Sequence, residues 1–206
     1  MQLQWKRLDR DSSLKVIDSV KSAEDMGLFN IGTCEVKCAR LPFYKEYLLY
    51  KLTNYASLPA FSFEYIGDGK FFHYLDGTSE AIHKANDSGK LTLNENNVLD
   101  YAAFYYERIA QINPDMDEVT VIINPHDMPL LDSLDPMAYS AVMGNFTPAK
   151  VIQNIDMGYT VETTIYTESM AMRATLEVTP RGRVRMLEQK MIMNDMAGST
   201  AAETVF

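Results

Sequence analysis

The run His73-Tyr-Leu-Asp76-Gly77-Thr78-Ser79-Glu80-Ala-Ile-His83-Lys-Ala-Asn86 holds the densest set of groups able to do chemistry in this chain. Ser79 and His83 are four residues apart, a spacing that puts both on one face of a helix. Asp76 is placed to orient or polarise either of them, the arrangement of general acid–base catalysis. A helix opening at Thr78 or Ser79 would also aim free backbone N–H groups at an anion. The same residues serve as a capping turn, with Asp76-Gly77 as the turn, Thr78 or Ser79 as N-cap and His83 as a half-buried polar side chain. The catalytic candidates are therefore Asp76, Ser79 and His83. His73, Thr78 and Asn86 are candidate ligand contacts. A metal site needs three or four converging ligands, and nothing in the spacing of His73, Asp76 and His83 makes them converge, so neither metal nor cofactor is expected.

A second cluster, Asn124-Pro-His126-Asp127, follows a predicted strand over 118–124. Loops at strand ends often carry function, and a His beside an Asp can serve as a general base. The alternative is a polar turn. His126 and Asp127 join the ligand candidates. From Arg108 to Lys150 no Lys or Arg intervenes, while Asp115, Asp117, Glu118, Asp127, Asp132 and Asp135 do. That surface suits a basic partner or plain solvation. Arg173, Arg183 and Arg185 are expected on one exposed sheet face, as an anion contact or as charges that discourage edge pairing. Cys34 and Cys38 flank Val36 on one face of a predicted strand, as two buried thiols or half of a redox or metal site.

The run Leu75-Asp-Gly-Thr-Ser79, then Ile82-His83 and Asn86, then Glu95-Asn-Asn-Val-Leu-Asp-Tyr101, resembles a family of bacterial proteins of uncharacterised activity. Their pattern reads Leu-Asp-Gly-Thr-Ser, Ile-His, Asn and a helix opening Glu-Asn-Val-Leu-Asp-Tyr. This chain has one Asn more in the helix opening. The resemblance implies a bacterial origin and supplies no activity, so no functional residue is carried over from it.

Charge and motif usage narrow the classes. Lys and Arg number 19 against 28 Asp and Glu, a net charge of −9, the wrong sign for a general nucleic-acid binder. There is no Gly-x-Gly-x-x-Gly, Gly-x-x-x-x-Gly-Lys-Ser/Thr, Gly-x-Ser-x-Gly or His-Glu-x-x-His. No apolar h-region follows the N-terminus and no apolar run is long enough to span a bilayer. A cytoplasmic protein with no membrane partner is expected.

The elements that must position these residues follow from periodicity. Capping residues open a helix over 12–23 with Leu14, Ile17 and Val20 as its stripe. Strands are predicted near 31–39, 46–53, 59–66 and 70–75, with Phe61, Phe63, Tyr65 and Phe71 inward and Gly67-Asp68-Gly69 as a turn. Asn94 caps a helix over 95–112, broken at Pro114. A short helix runs from Pro136 to about Met143, with Gly144 past its end. Residues 148–154 fit either class, and strands return at 160–167, 171–179 and 183–193, with a turn at Thr179-Pro-Arg-Gly182. A shift of 113 residues lays 47–75 on 160–188, two meanders that are either a duplication or merely alike.

This pattern predicts an α+β domain over 1–193 and a frayed tail over 194–206. Two β-meanders form a mostly antiparallel curved sheet packed on the 95–112 helix, in the manner of cystatin-like or nuclear-transport-factor-like cones. The function expected is a non-catalytic binding or assembly protein, self-associating as a homodimer, with a small ligand or protein partner. The alternative is a small enzyme using His83, Asp76 and Ser79 on a small anionic metabolite.

Overall fold

The computed structural model describes residues 3–24, 28–88, 91–110, 119–129, 131–167 and 170–194. Beyond Asn194, the expected tail lies outside these residues. The fold is α+β, with two antiparallel sheets and four α-helices among the described residues. The backbone divides into two compact units, Gln2–Thr92 and Leu93–Phe206.

In the first unit β1 (Lys6–Arg7), β2 (Cys34–Arg40), β3 (Leu48–Asn54), β4 (Phe61–Gly67) and β5 (Phe72–Tyr74) form an antiparallel meander in chain order. Helix α1 (Arg10–Glu24) starts where the Asp9 carboxylate accepts the Ser12 backbone N–H at 2.8 Å. Its Val16, Ile17 and Val20 join Phe29, Val36, Tyr50, Leu52 and Tyr65 in one buried cluster. The stripe runs Ser13, Val16, Ile17, Val20, so Leu14, expected within it, lies at its margin and is 43 % exposed. Phe61 and Phe63 pack on the same cluster, with Phe29 edge-on to Phe63 at 5.6 Å. Cys34 and Cys38 flank Val36 against this core as partly buried free thiols, and burial pushes the Cys38 thiol above its ordinary value. The helix packed on these aromatics is α1. The helix predicted over 95–112 is not part of this cluster and packs on strands of the second unit.

The β4–β5 turn corrects a second expectation. Asp68 Oδ1 accepts backbone N–H bonds from Lys70 at 2.8 Å and Phe71 at 2.9 Å, closing a loop that sets Gly67 opposite Phe72. Phe71 is left 71 % exposed, and Phe72 and Tyr74 take the inward positions. Gly67 has to be glycine, because a Cβ there would lie 2.3 Å from the Phe71 carbonyl oxygen. Helix α2 (Ser79–Ser88) packs on β5 and buries Ala81, Ile82, Ala85 and Asn86.

In the second unit α3 (Val98–Ala110) is apolar nearly all round and buries Val98, Tyr101, Phe104, Tyr105 and Ile109. It starts three residues later than predicted, after a turn over 95–97 that the Asn94 and Asn97 side chains hold. Asn96 N–H donates to Asn94 Oδ1 at 2.9 Å, and Asn94 N–H to Asn97 Oδ1 at 2.8 Å. The helix packs on β6 (Thr120–Ile122) and β8 (Tyr159–Thr167). Beyond β8 come β9 (Met170–Val178) and β10 (Val184–Asn194), in the order β10-β9-β8-β6, and β7 (Lys150–Gln153) also pairs with β8. Helix α4 (Pro136–Asn145) runs one residue past Gly144 and supplies Val142 to a second cluster with Ile122, Met128, Leu131, Tyr166 and Ala171. The β9–β10 turn closes through Gly182 at φ +73°, and Gly69, its counterpart under the 113-residue shift, sits at φ +91°.

Ile17→Ala, Ile109→Ala and Tyr105→Ala are each expected to cost about 2–5 kcal/mol in urea melts, from lost burial and residual cavity. Leu14→Ala should cost far less. Asp68→Ala should cost about 1 kcal/mol for the lost turn bonds. Burial raises the Asp68 pKa, but the Phe71 and Lys70 N–H bonds outweigh it and leave it below 3.8. The ionised Asp68 therefore contributes stability above that pH, lost as pH falls through the lowered value. The pH dependence of the melts, compared with Asp68→Ala, reads this directly.

Candidate functional site

Strand β5 and helix α2 bound an open, polar groove of about 280 Å³, walled by Phe72, His73, Tyr74, Asp76, Glu80, Ala81 and Lys84. The alternation of β5 sends His73 to the face opposite Phe72 and Tyr74. Ile66 lies across from it in register. Four residues separate Glu80 from Lys84 on α2, so both reach the groove from one helix face, and they pair loosely at 3.9 Å with both side chains about two-thirds exposed. Such a pair contributes little to stability. It leaves a cation and an anion free to meet a ligand.

His73 is held by the end of α2. Its Nε2 lies 2.9 Å from Ser88 Oγ, and its ring lies 5.9 Å from the Tyr47 ring. Ser88 Oγ donates to the Lys84 carbonyl at 2.8 Å, and Tyr47 O–H donates to Ser88 Oγ at 3.3 Å. A hydroxyl has one proton and two lone pairs. With the proton on Lys84 O and one lone pair taken by Tyr47, the remaining lone pair accepts Nε2–H of His73. Nδ1 is then the acceptor nitrogen. Burial lowers the His73 pKa, the Lys84 charge lowers it further, and Asp68 opposes both. The ring is neutral at physiological pH.

Asp76 lies on the groove wall, and its Oδ1 accepts Thr78 N–H at 2.9 Å and Thr78 Oγ–H at 2.6 Å. Asp76 and Thr78 thus form the turn that starts α2, with the intervening Gly77 at φ +82°. Asn86 is buried, and its Oδ1 accepts the Tyr44 hydroxyl, which ties α2 to the segment before β3. Ser79 and His83 are half-buried on α2, and His83 is not among the groove walls, because the helix face that carries Glu80, Ala81 and Lys84 turns it aside. His126 and Asp127 are exposed in a short 3₁₀ turn, Pro125–Asp127, of the second unit, where Asn124 Oδ1 accepts His126 N–H at 3.0 Å. Asp115, Asp117 and Glu118 lie outside the described residues. Arg173 bonds the carbonyl of Thr147, in the loop before β7, at 2.8 Å, and Arg185 pairs across the sheet with Glu177 at 2.9 Å, so both arginines have structural partners.

Among the predicted site residues, the structure brings His73 and Asp76 into one groove. Lys84 and Glu80 were missed, although their four-residue spacing inside the candidate run signalled a shared face. Ser88 was missed because only the folded sheet places it beside a residue 15 positions earlier. No family model, no curated protein and no solved structure matches this chain. No group of three or more His, Cys, Asp or Glu able to hold a metal is present among the described residues. No helix among them is long and apolar enough to cross a membrane.

An NMR titration of the imidazoles should give His73 a midpoint below the ordinary 6.5, and Lys84→Ala should move that midpoint up. Unfolded chains take up the proton at higher pH than the folded one. Stability should therefore fall as pH drops through 6.5 towards the lowered value, and His73→Gln should flatten that segment of the profile.

Proposed function

We propose that this chain is a non-catalytic binding protein whose ligand is a small polar molecule carrying charges of both signs, held in the groove between β5 and α2. The observation that carries this reading is the convergence of His73, Asp76, Glu80 and Lys84 on one open wall. Lys84 meets the anionic end of the ligand, Glu80 and the second Asp76 oxygen meet its donors, and the neutral His73 ring lends a hydrogen-bonding edge. The acid–base alternative through His83, Asp76 and Ser79 requires His83 and Asp76 in one concave pocket. His83 stands outside the groove walls, which favours binding over turnover. The comparison with cystatin-like and nuclear-transport-factor-like cones is an analogy of form, supported by the packing of α1 on a five-stranded antiparallel meander.

A thermal-shift screen tests the reading with free amino acids, dicarboxylates and phosphorylated sugars as three separate panels. At saturation an amino acid should raise Tm by several degrees, by mass action on the folded state. The shift should vanish in Lys84→Ala and shrink in Glu80→Gln. A screen with no shift from any panel, or a shift preserved in Lys84→Ala, overturns the proposal. Consumption of the bound compound would move the assignment to the enzyme reading.

A further inference from the structure

We infer that two copies of this chain pair edge to edge through β10, antiparallel, about a two-fold axis at Gln189. This goes beyond the groove, which lies in the other unit of the chain. Strand β10 spans 11 residues, Val184–Asn194. It has β9 on one side, and its other edge carries no strand among the described residues. An open edge of that length presents a row of unpaired backbone donors and acceptors, which proteins normally blunt or cover. Register shifts between Met186 and Glu188 and between Met191 and Met193 bracket a regular run at Glu188–Met191. Leu187 and Met191, at either side of the centre, are 46 % and 52 % exposed.

The charges on this run are unmatched among the described residues. Lys190 stands opposite Arg173 of β9, and Glu188 opposite Thr175. Like charges directly opposed across a ladder destabilise it. Arg185 is matched by Glu177, whereas neither Glu188 nor Lys190 has an ion pair among the described residues.

Sheet geometry then selects one register. Directly opposed residues of an antiparallel pair point to the same face, so the two-fold axis has to fall at a residue and not between two. An axis at Glu188 opposes Glu188 to its own copy, and an axis at Lys190 opposes lysine to lysine. An axis at Gln189 opposes each Glu188 to a Lys190 and Gln189 to itself, all within the regular run. This register pairs both charges at once. It is isologous and therefore closes as a dimer. Parallel in-register pairing would instead stack glutamate on glutamate and lysine on lysine.

Sedimentation equilibrium of the full chain should give twice the chain mass. Glu188→Lys and Lys190→Glu should each raise the dimer Kd by about tenfold or more, by replacing attraction with like-charge contact. The exchange Glu188→Lys with Lys190→Glu should restore the wild-type Kd. Far-UV circular dichroism establishes that each variant is folded. Gln189→Cys should form an intermolecular disulfide on mild oxidation, because the axis sets the two thiols face to face. Glu188→Cys and the wild-type chain should not. A monomeric wild type, single reversals without effect, or cross-linking through Glu188→Cys in place of Gln189→Cys overturns the inference.

Discussion

The first unit depends on the turn that Asp68 holds. Its carboxylate takes two successive backbone N–H groups, and Gly67 lets the Phe71 carbonyl approach to a distance that a Cβ would forbid. Together they fix the length of the loop between β4 and β5. Side chains alternate along a strand, so one residue more or fewer would exchange the two faces of β5. Phe72 and Tyr74 would leave the α1 core, and His73 would enter it. The groove exists because this loop has the length it has.

Much of this was legible in the sequence. β-Branched and aromatic alternation located the strands of both meanders, and Asp and Gly at 67–69 and Pro and Gly at 180–182 located their turns. Those signals are local, carried by residues that touch near neighbours. What escaped was non-local. Phe71 and Phe72 are adjacent phenylalanines, and only the hydrogen bonds of Asp68 decide which faces inward. Leu14 and Val16 both fit a helical stripe, and the sheet beneath chooses between them. The pairing of helix with sheet followed the same rule. The aromatic face of residues 98–109 suited either meander in composition, but periodicity carries no information about which sheet a helix covers.

The candidate site divides along the same line. Asp76, Gly77 and Thr78 behave as the turn that their types announce. His73 was recognised as a reactive type, but its state is set by Tyr47, Lys84 and Ser88, which come from the segment before β3 and the C-terminal half of α2. The polar groups on the second sheet face show the complementary case. Arg185 with Glu177, and Arg173 near Glu162, make a cross-strand mosaic in which side chains are neutralised within the sheet. Such charges are conspicuous in sequence and largely structural in the fold.

The position of Ser88 has a dynamic corollary. It is the last residue of α2, and a single hydroxyl there bonds the helix backbone, the Tyr47 phenol and the His73 ring. Helix ends normally fray independently of their surroundings. Here fraying of the final turn would release the imidazole and the phenol in the same event. The end of α2 and one wall of the groove thus form a single cooperative unit of local opening, and the protection of the α2 C-terminal amides against hydrogen exchange is linked to the order of the imidazole.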